Sequence, residues 1–323
     1  MKYIFFGTPR FAAIILKKLI EAGFIPEAVV CNPDEPVGRK KILTAPATKA
    51  RIMNYELGIK NKIKILQPTK LSTSDVVNEL KQLNADVFIV AAYNKIIPEE
   101  IINIPKFKTI GVHPSLLPKY RGPSPIQTAI LNGDKKTGVD LFLIDKGIDH
   151  GPVLVSIECK ISEKDNYETM EAKLAELGAK LLVDNLSKYL EGKLEAKEQD
   201  HSQATFTKKF STEDGRVDLP PQFCHSALAC PAMAVDAESR NLDSRFRGND
   251  NVKEDSPELI FNKIRALNPD PGVFTFFNTK TGEKRVKLLE AQLKDGNLEL
   301  LKVQPEGKKP MSYKDFLNGL KSD

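Results

Sequence analysis

The chain reads as an α/β protein: a mostly parallel sheet with helices on both faces, followed by a smaller β-rich domain. Three observations predict this. Short apolar runs alternate with helix-period segments from the first residues onward, as βαβ units require. At 323 residues the chain exceeds one average domain, so two domains are expected. Its last third changes to short strands between Gly, Asn and Pro turns, the pattern of a small barrel.

Lys2–Phe6 (KYIFF) is an apolar strand that stops at Gly7-Thr8-Pro9. Arg10–Ala22 carries Phe11, Ile14, Ile15, Leu16 and Leu19 at helical spacing and closes at Gly23. Ile25–Cys31 returns as a strand. Further units follow at Ile63–Leu66, Ser74–Leu83 and Asp86–Tyr93, and strands at Thr109–Val112, Gly138–Ile144 and Val153–Ile161. Asp165-x-x-Glu168 is expected as the capping box of a long amphipathic helix reaching about Leu190. Glu191–Ser202 is a charged connector, and Thr205–Val217 opens the second domain. A helix at Glu258–Leu267 and strands at Val273–Phe277, Val286–Leu293 and Leu298–Val303 complete it. Between them, Leu219–Asp255 shows neither period 2 nor period 3.6. It resembles a translated palindromic repeat and is expected to be a disordered, tolerated insertion without a site.

Composition narrows the function classes. Lys and Arg total 48 against 43 Asp and Glu, a mildly basic balance that permits an RNA partner without demanding one. The four cysteines form no CxxC pair. Cys224, His225 and Cys230 hint weakly at a metal, but unpaired thiols are the simpler reading, so no metal is expected. The first turn, GTPRF, lacks GxGxxG, which argues against a dinucleotide. Met1-Lys2 runs into a strand without signal-peptide architecture, and no apolar run reaches the ~20 residues that span a bilayer. A soluble, cytoplasmic protein is expected.

The chemistry concentrates between Gly111 and Pro152. His113 follows a strand at the C-terminal edge of the sheet, where open α/β sheets bind their ligands. Asp149 lies in a Gly-bounded turn after another strand. Imidazole and carboxylate together suit proton transfer and oxyanion stabilisation. On spacing alone, a structural His and a turn-forming Asp remain the simpler reading.

The wider motifs shift that balance. HPSLLPKYRG followed by DKGIDHGP resembles the formyltransferases that use 10-formyltetrahydrofolate. FFGTPRFA, NPDEPVGRKK, AAYNKIIP, TKKFSTEDG, KIRALNPDPG and QPEGKKPMS are similar, in order and spacing, to the methionyl-tRNA formyltransferase family over nearly the whole chain. The resemblance implies a Rossmann-like catalytic domain over residues 1–203 and an OB-like, tRNA-binding barrel over residues 204–323. It implies that His113 and Asp149 are catalytic, and that Ser115, Leu116, Leu117 and Pro118 contact the folate. Asn94, Lys95 and Ile96 then flank the pterin pocket. Arg39, Lys40 and Lys41, with Lys208 and Lys209 of the linker, face initiator methionyl-tRNA; a charge run is otherwise just a solvated face. Lys119 and Arg121 stay open between phosphate contact and loop support. A monomer is expected.

One position departs from the family pattern. Gly111 stands where an Asn normally precedes the x-His, so a carboxamide donor to the formyl oxygen is missing. Another donor replaces it, with Asn94 as a candidate; or the enzyme is slower; or it is inactive. Rival readings follow: a formyltransferase for an amino sugar nucleotide or glycinamide ribonucleotide, or a silent folate- or RNA-binding homologue.

Overall fold

The computed structural model describes residues 1–38, 40–220, 223, 255–279 and 282–322. These form two compact units, residues 1–129 with 134–208, and residues 130–133 with 209–323.

The first unit is built on strands β1 (Tyr3–Phe6), β2 (Ala28–Val30), β3 (Glu35–Val37), β4 (Ile42–Thr44), β5 (Lys64–Leu66), β6 (Val87–Ala91), β7 (Thr109–His113), β8 (Lys136–Leu143) and β9 (Val153–Lys160). Seven of them form one sheet in the order β5-β2-β1-β6-β7-β8-β9. The pairs from β5 to β7 are parallel, while β7–β8 and β8–β9 are antiparallel. The sheet is therefore mostly parallel, as the alternation of elements predicts. Every residue of β1 and β6 is buried, which is why both read as unbroken apolar runs rather than alternating ones.

The helices are α1 (Arg10–Glu21), α2 (Ala47–Met53), α3 (Leu57–Lys60), α4 (Ser74–Gln82), α5 (Glu99–Ile102), α6 (Pro125–Leu131) and α7 (Tyr167–Leu190). Helices α1 and α7 pack against each other. At Gly178 of α7 a Cβ would stand 2.8 Å from the Val112 side chain, so glycine is what lets this helix approach β7. Val112 therefore faces the α7 side. Its strand neighbours Gly111 and His113 face the other way, because strand side chains alternate.

Two sequence expectations need correction, and one element was missed. The α7 cap is Asn166, not Asp165: the Asn166 side chain accepts from the Thr169 amide, and Thr169 returns the bond. Asp165 is instead occupied by the Ser162 amide and hydroxyl and by Lys173, so it braces the preceding turn. His113 ends β7 rather than following it, and its paired backbone holds the ring more firmly than a loop would. The β3–β4 hairpin was not anticipated; its strands are short and exposed, so no buried face leaves a period in the sequence.

In the second unit, α8 (Pro257–Leu267) is capped by the Ser256 hydroxyl. The strands expected of a small barrel are present as a four-stranded antiparallel sheet, β10 (Val273–Thr279), β11 (Gly282–Lys294), β12 (Asn297–Pro305) and β13 (Met311–Ser312). Helix α9 (Tyr313–Ser322) closes the chain. Most of the expected insertion, Leu219–Asp255, lies outside the described residues, as do Cys224, His225 and Cys230. Its start needs correction, however. Phe223 is buried with its ring 6.3 Å from Tyr313, so the unit's core extends at least that far.

Candidate active site

The C-terminal edge of the parallel strands is tied together by polar side chains. After β2, Asn32 takes its backbone amide to Thr8 Oγ1 and donates Nδ2 to Asn94 Oδ1 at 2.9 Å. Gln67, following β5, donates to the Asn32 carbonyl and to Asp34, and Lys49 joins the same group. Lys95 is anchored on the carbonyls of Pro68 and Thr69. Asn94 and Lys95 thus sit in a braced loop, whereas the Ile96 side chain is 91% exposed.

His113 ends the neighbouring strand with its ring buried. Its Nε2 lies 2.9 Å from the Tyr120 carbonyl oxygen, which can only accept. Nε2 therefore carries hydrogen, and Nδ1 is the nitrogen left for chemistry. Asp149 Oδ2 stands 3.6 Å from that Nδ1, so the two residues singled out in the sequence do converge.

Asp149 is held on three sides. Its Oδ2 accepts from the Gly122 amide at 2.7 Å, its carbonyl accepts from Gln199, and its backbone adopts a left-handed φ of 47°, which Asp tolerates better than most residues. Gln199 also donates to the Gly151 carbonyl, while its own oxygen accepts from Arg121. Arg121 is 3% exposed and its guanidinium reaches His201 as well. This settles its role as a loop support. Sequence reasoning left Arg121 open and passed over Gln199, because a distant partner leaves no spacing signal.

The segment Ser115–Pro118 packs over the same face of the sheet. Ser115 is fully buried and donates to the Lys119 carbonyl, so its hydroxyl braces the turn. Leu116 lies against Gly138 of β8. The Leu117 amide donates to Asp140 Oδ2 at 2.7 Å, and Leu117 and Pro118 are half-buried. Leu116 and Leu117 thus offer apolar surface on the face of the sheet that His113 shares, while Asn94 lies in the loop after the adjacent strand β6.

The place of a side chain at Gly111 is filled. Gly111 pairs with Phe142 across β7–β8, and a Cβ on it would stand 2.3 Å from Phe142 Cε1 and 2.6 Å from Cζ. The buried Phe142 ring also meets the His113 ring edge-on, with centroids 6.3 Å apart. Phenylalanine thus occupies the space into which residue 111 would project.

Lys40 and Lys41 are exposed beside the β3–β4 hairpin together with Val37, Ile42 and Leu43. Arg39 lies outside the described residues. Lys208 and Lys209 are exposed in the linker. Among the described residues no helix is long and apolar enough to cross a membrane, and no group of three or more His, Cys, Asp or Glu could hold a metal.

Comparison with known proteins finds relatives over nearly the whole chain. Residues 1–186 match the family described as formyl transferase, and residues 254–297 match its C-terminal domain. Relatives named methionyl-tRNA formyltransferase include one from Thermodesulfovibrio yellowstonii, 34% identical and covering 98% of this chain and 96% of its own. Another, from Sulfurihydrogenibium sp., is 39% identical over 93% of this chain and 83% of its own. Among solved structures, methionyl-tRNA formyltransferase from Clostridium thermocellum superposes with a TM-score of 0.53 at 17% identity, covering 97% and 99%. An N-formyltransferase from Helicobacter canadensis, in complex with folinic acid and dTDP-3-aminofucose, gives 0.57 at 20%, covering 91% and 88%. At those identities the structures speak for the fold alone.

Proposed function

We infer the activity from one premise: this chain belongs to the formyltransferase family. It transfers a formyl group from 10-formyltetrahydrofolate to the α-amino group of initiator methionyl-tRNA, acting as a monomer in the cytoplasm. The observation that carries this reading is the convergence of His113 Nδ1 and Asp149 at 3.6 Å, in a chain similar to methionyl-tRNA formyltransferases over nearly its full length.

The residues present fit a folate donor. Half-buried leucines suit a flat heterocycle, and the braced Asn94 and Lys95 supply polar groups on the same C-terminal edge of the sheet. The amine attacks the formyl carbon of the bound donor, the bond from that carbon to the folate nitrogen breaks, and the folate nitrogen takes up the proton that the amine gives up. Tyr120 keeps Nε2 protonated, so the ring presents Nδ1. Protonated there, His113 donates to the oxygen that gains charge. Asp149 draws the proton from the attacking nitrogen while the Gly122 amide and Gln199 hold it in place. Lys40, Lys41, Lys208 and Lys209, with Arg39, meet tRNA phosphates.

The test is single-turnover transfer from 10-formyltetrahydrofolate to charged initiator tRNA, with dTDP-linked amino sugar and glycinamide ribonucleotide as competing acceptors. Wild type should formylate the tRNA, and His113→Ala should lose roughly 10²–10⁴ in rate. Preference for either small acceptor would overturn the assignment of the acceptor. Absence of transfer to all three would overturn the activity.

A further inference from the structure

We propose that Asp140 is a second carboxylate of this site, a positioning residue that acts on His113 across the β7–β8 ladder and on the Ser115–Pro118 loop through Leu117. The inference rests on the formyl-transfer reading and extends it.

Asp140 is the direct cross-strand partner of His113. The two side chains share a face, with Cβ atoms about 4.5–5.5 Å apart in pairs of this kind. Asp140 is 1% exposed, and its two oxygens are treated differently. Oδ2 accepts the Leu117 amide at 2.7 Å, while Oδ1 is buried with no hydrogen-bond partner among the described residues. Holding Leu117 requires an acceptor but no charge. A carboxylate set inside the apolar run of β8, with one oxygen unsatisfied, opposes stability, and side chains of that kind concentrate at functional sites.

Among the described residues the groups that face Asp140 are few. They are His113 from β7, Ser156 from β9 and the Leu117 amide from the loop. Beyond His113, Asp149 faces the ring from the turn after β8. Burial pushes the Asp140 carboxyl up to about 6, against the opposing pull of Ser156, Leu117 and His113. His113 therefore stands between two acids. Asp149 addresses Nδ1 directly, and Asp140 acts through space from the strand below. An ionised Asp140 favours a protonated ring, keeping Nδ1–H available as a donor at a site where no side chain projects from Gly111.

The experiment uses the full chain, wild type and Asp140→Asn, with two readouts. The first is the pH titration of the His113 ring by nuclear magnetic resonance, which needs neither folate nor acceptor. The second is the pH profile of single-turnover formylation of charged initiator tRNA. Asn keeps an acceptor for Leu117, so the variant should melt no lower than wild type at pH 7. The midpoint of the His113 ring signal should fall relative to wild type. The variant's rate at pH 7 should fall roughly tenfold, with the profile displaced the same way. An unchanged titration midpoint, or a rate and profile within twofold of wild type, would overturn the proposal. If Asn does not fold, Asp140→Ser removes the charge in less volume and is judged by the same criteria. A wild type inactive on tRNA would sink the formyl-transfer reading while the titration still decided the role of Asp140.

Discussion

Placing a carboxamide at residue 111 is the obvious way to probe this site, and the structure predicts that it will damage the protein. In Gly111→Asn the first added atom, Cβ, arrives 2.3 Å from Phe142 Cε1 and 2.6 Å from Cζ. Carbon atoms settle about 3.5–4.0 Å apart, so the ring must withdraw by more than 1 Å. It has little room, being buried and already edge-on to His113. Forcing extra atoms into such a core costs about 1–3 kcal/mol. A buried amide without a partner costs about 1–3 kcal/mol more. The sum, roughly 2–6 kcal/mol, is a large part of a domain's whole stability. Urea denaturation of wild type, Gly111→Ala, Gly111→Asn and Gly111→Asn/Phe142→Leu separates the contributions. Gly111→Ala should already carry most of the overpacking, because Cβ is the clashing atom. The double variant should recover stability relative to Gly111→Asn, a coupling expected for side chains in contact. Formylation by Gly111→Asn alone should not exceed wild type. If that single variant is as stable as wild type and faster, the reasoning is refuted.

Three further outcomes follow from the same contacts. The Asp140 carboxyl sits at about 6 in the native state against about 3.9 when unfolded, so the native protein holds this proton longer and Asp140 erodes stability as pH rises from about 4 to about 6. Asp140→Asn should therefore match wild type near pH 4 and exceed it by up to about 3 kcal/mol at pH 7, as denaturation at both pH values will show; a variant less stable at pH 7 contradicts this. Gln199→Ala removes the link between Arg121 and the Asp149 and Gly151 carbonyls; it should lower single-turnover rate about tenfold or more with folate binding little changed, and an unchanged rate would show that Asp149 is held by its turn alone. Lys40→Ala and Lys41→Ala should each reduce the salt dependence of tRNA binding by a slope of about 0.7–0.9, and an unaltered slope would remove the hairpin from the interface.

Much of this was legible because it is written in local chemistry. The unbroken apolar runs of β1 and β6 announce strands buried on both faces, and Leu16 and Leu19 of α1 repeat at the helical period. The pairing of His113 with Asp149 was readable only through the motifs around them, since nothing in their spacing says that two strand ends converge. What escaped has a shared cause. Asn166 and Asp165 are both competent caps, and only the position of Lys173 and Ser162 decides which one is free to serve. Phe223 looked like part of a featureless stretch until Tyr313 supplied its partner.

The amino-acid sequence by itself determined the class of fold, the family and the two residues that the proposed chemistry uses, because period, turn composition and motif order are properties of neighbours along the chain. It also carried a visible but unread sign, an aspartate within the apolar strand TGVDLFLI. Only the tertiary structure decided what surrounds the imidazole. Strand pairing sets Asp140 opposite His113 and Phe142 opposite Gly111, and a backbone carbonyl selects which ring nitrogen is free. The strand pairings depend on register between segments some thirty residues apart, and the carbonyl contact depends on how the loop after β7 folds back, neither of which a local pattern encodes. The lack of a side chain at Gly111 is thus a matter of packing: a phenylalanine ring from the next strand already stands there.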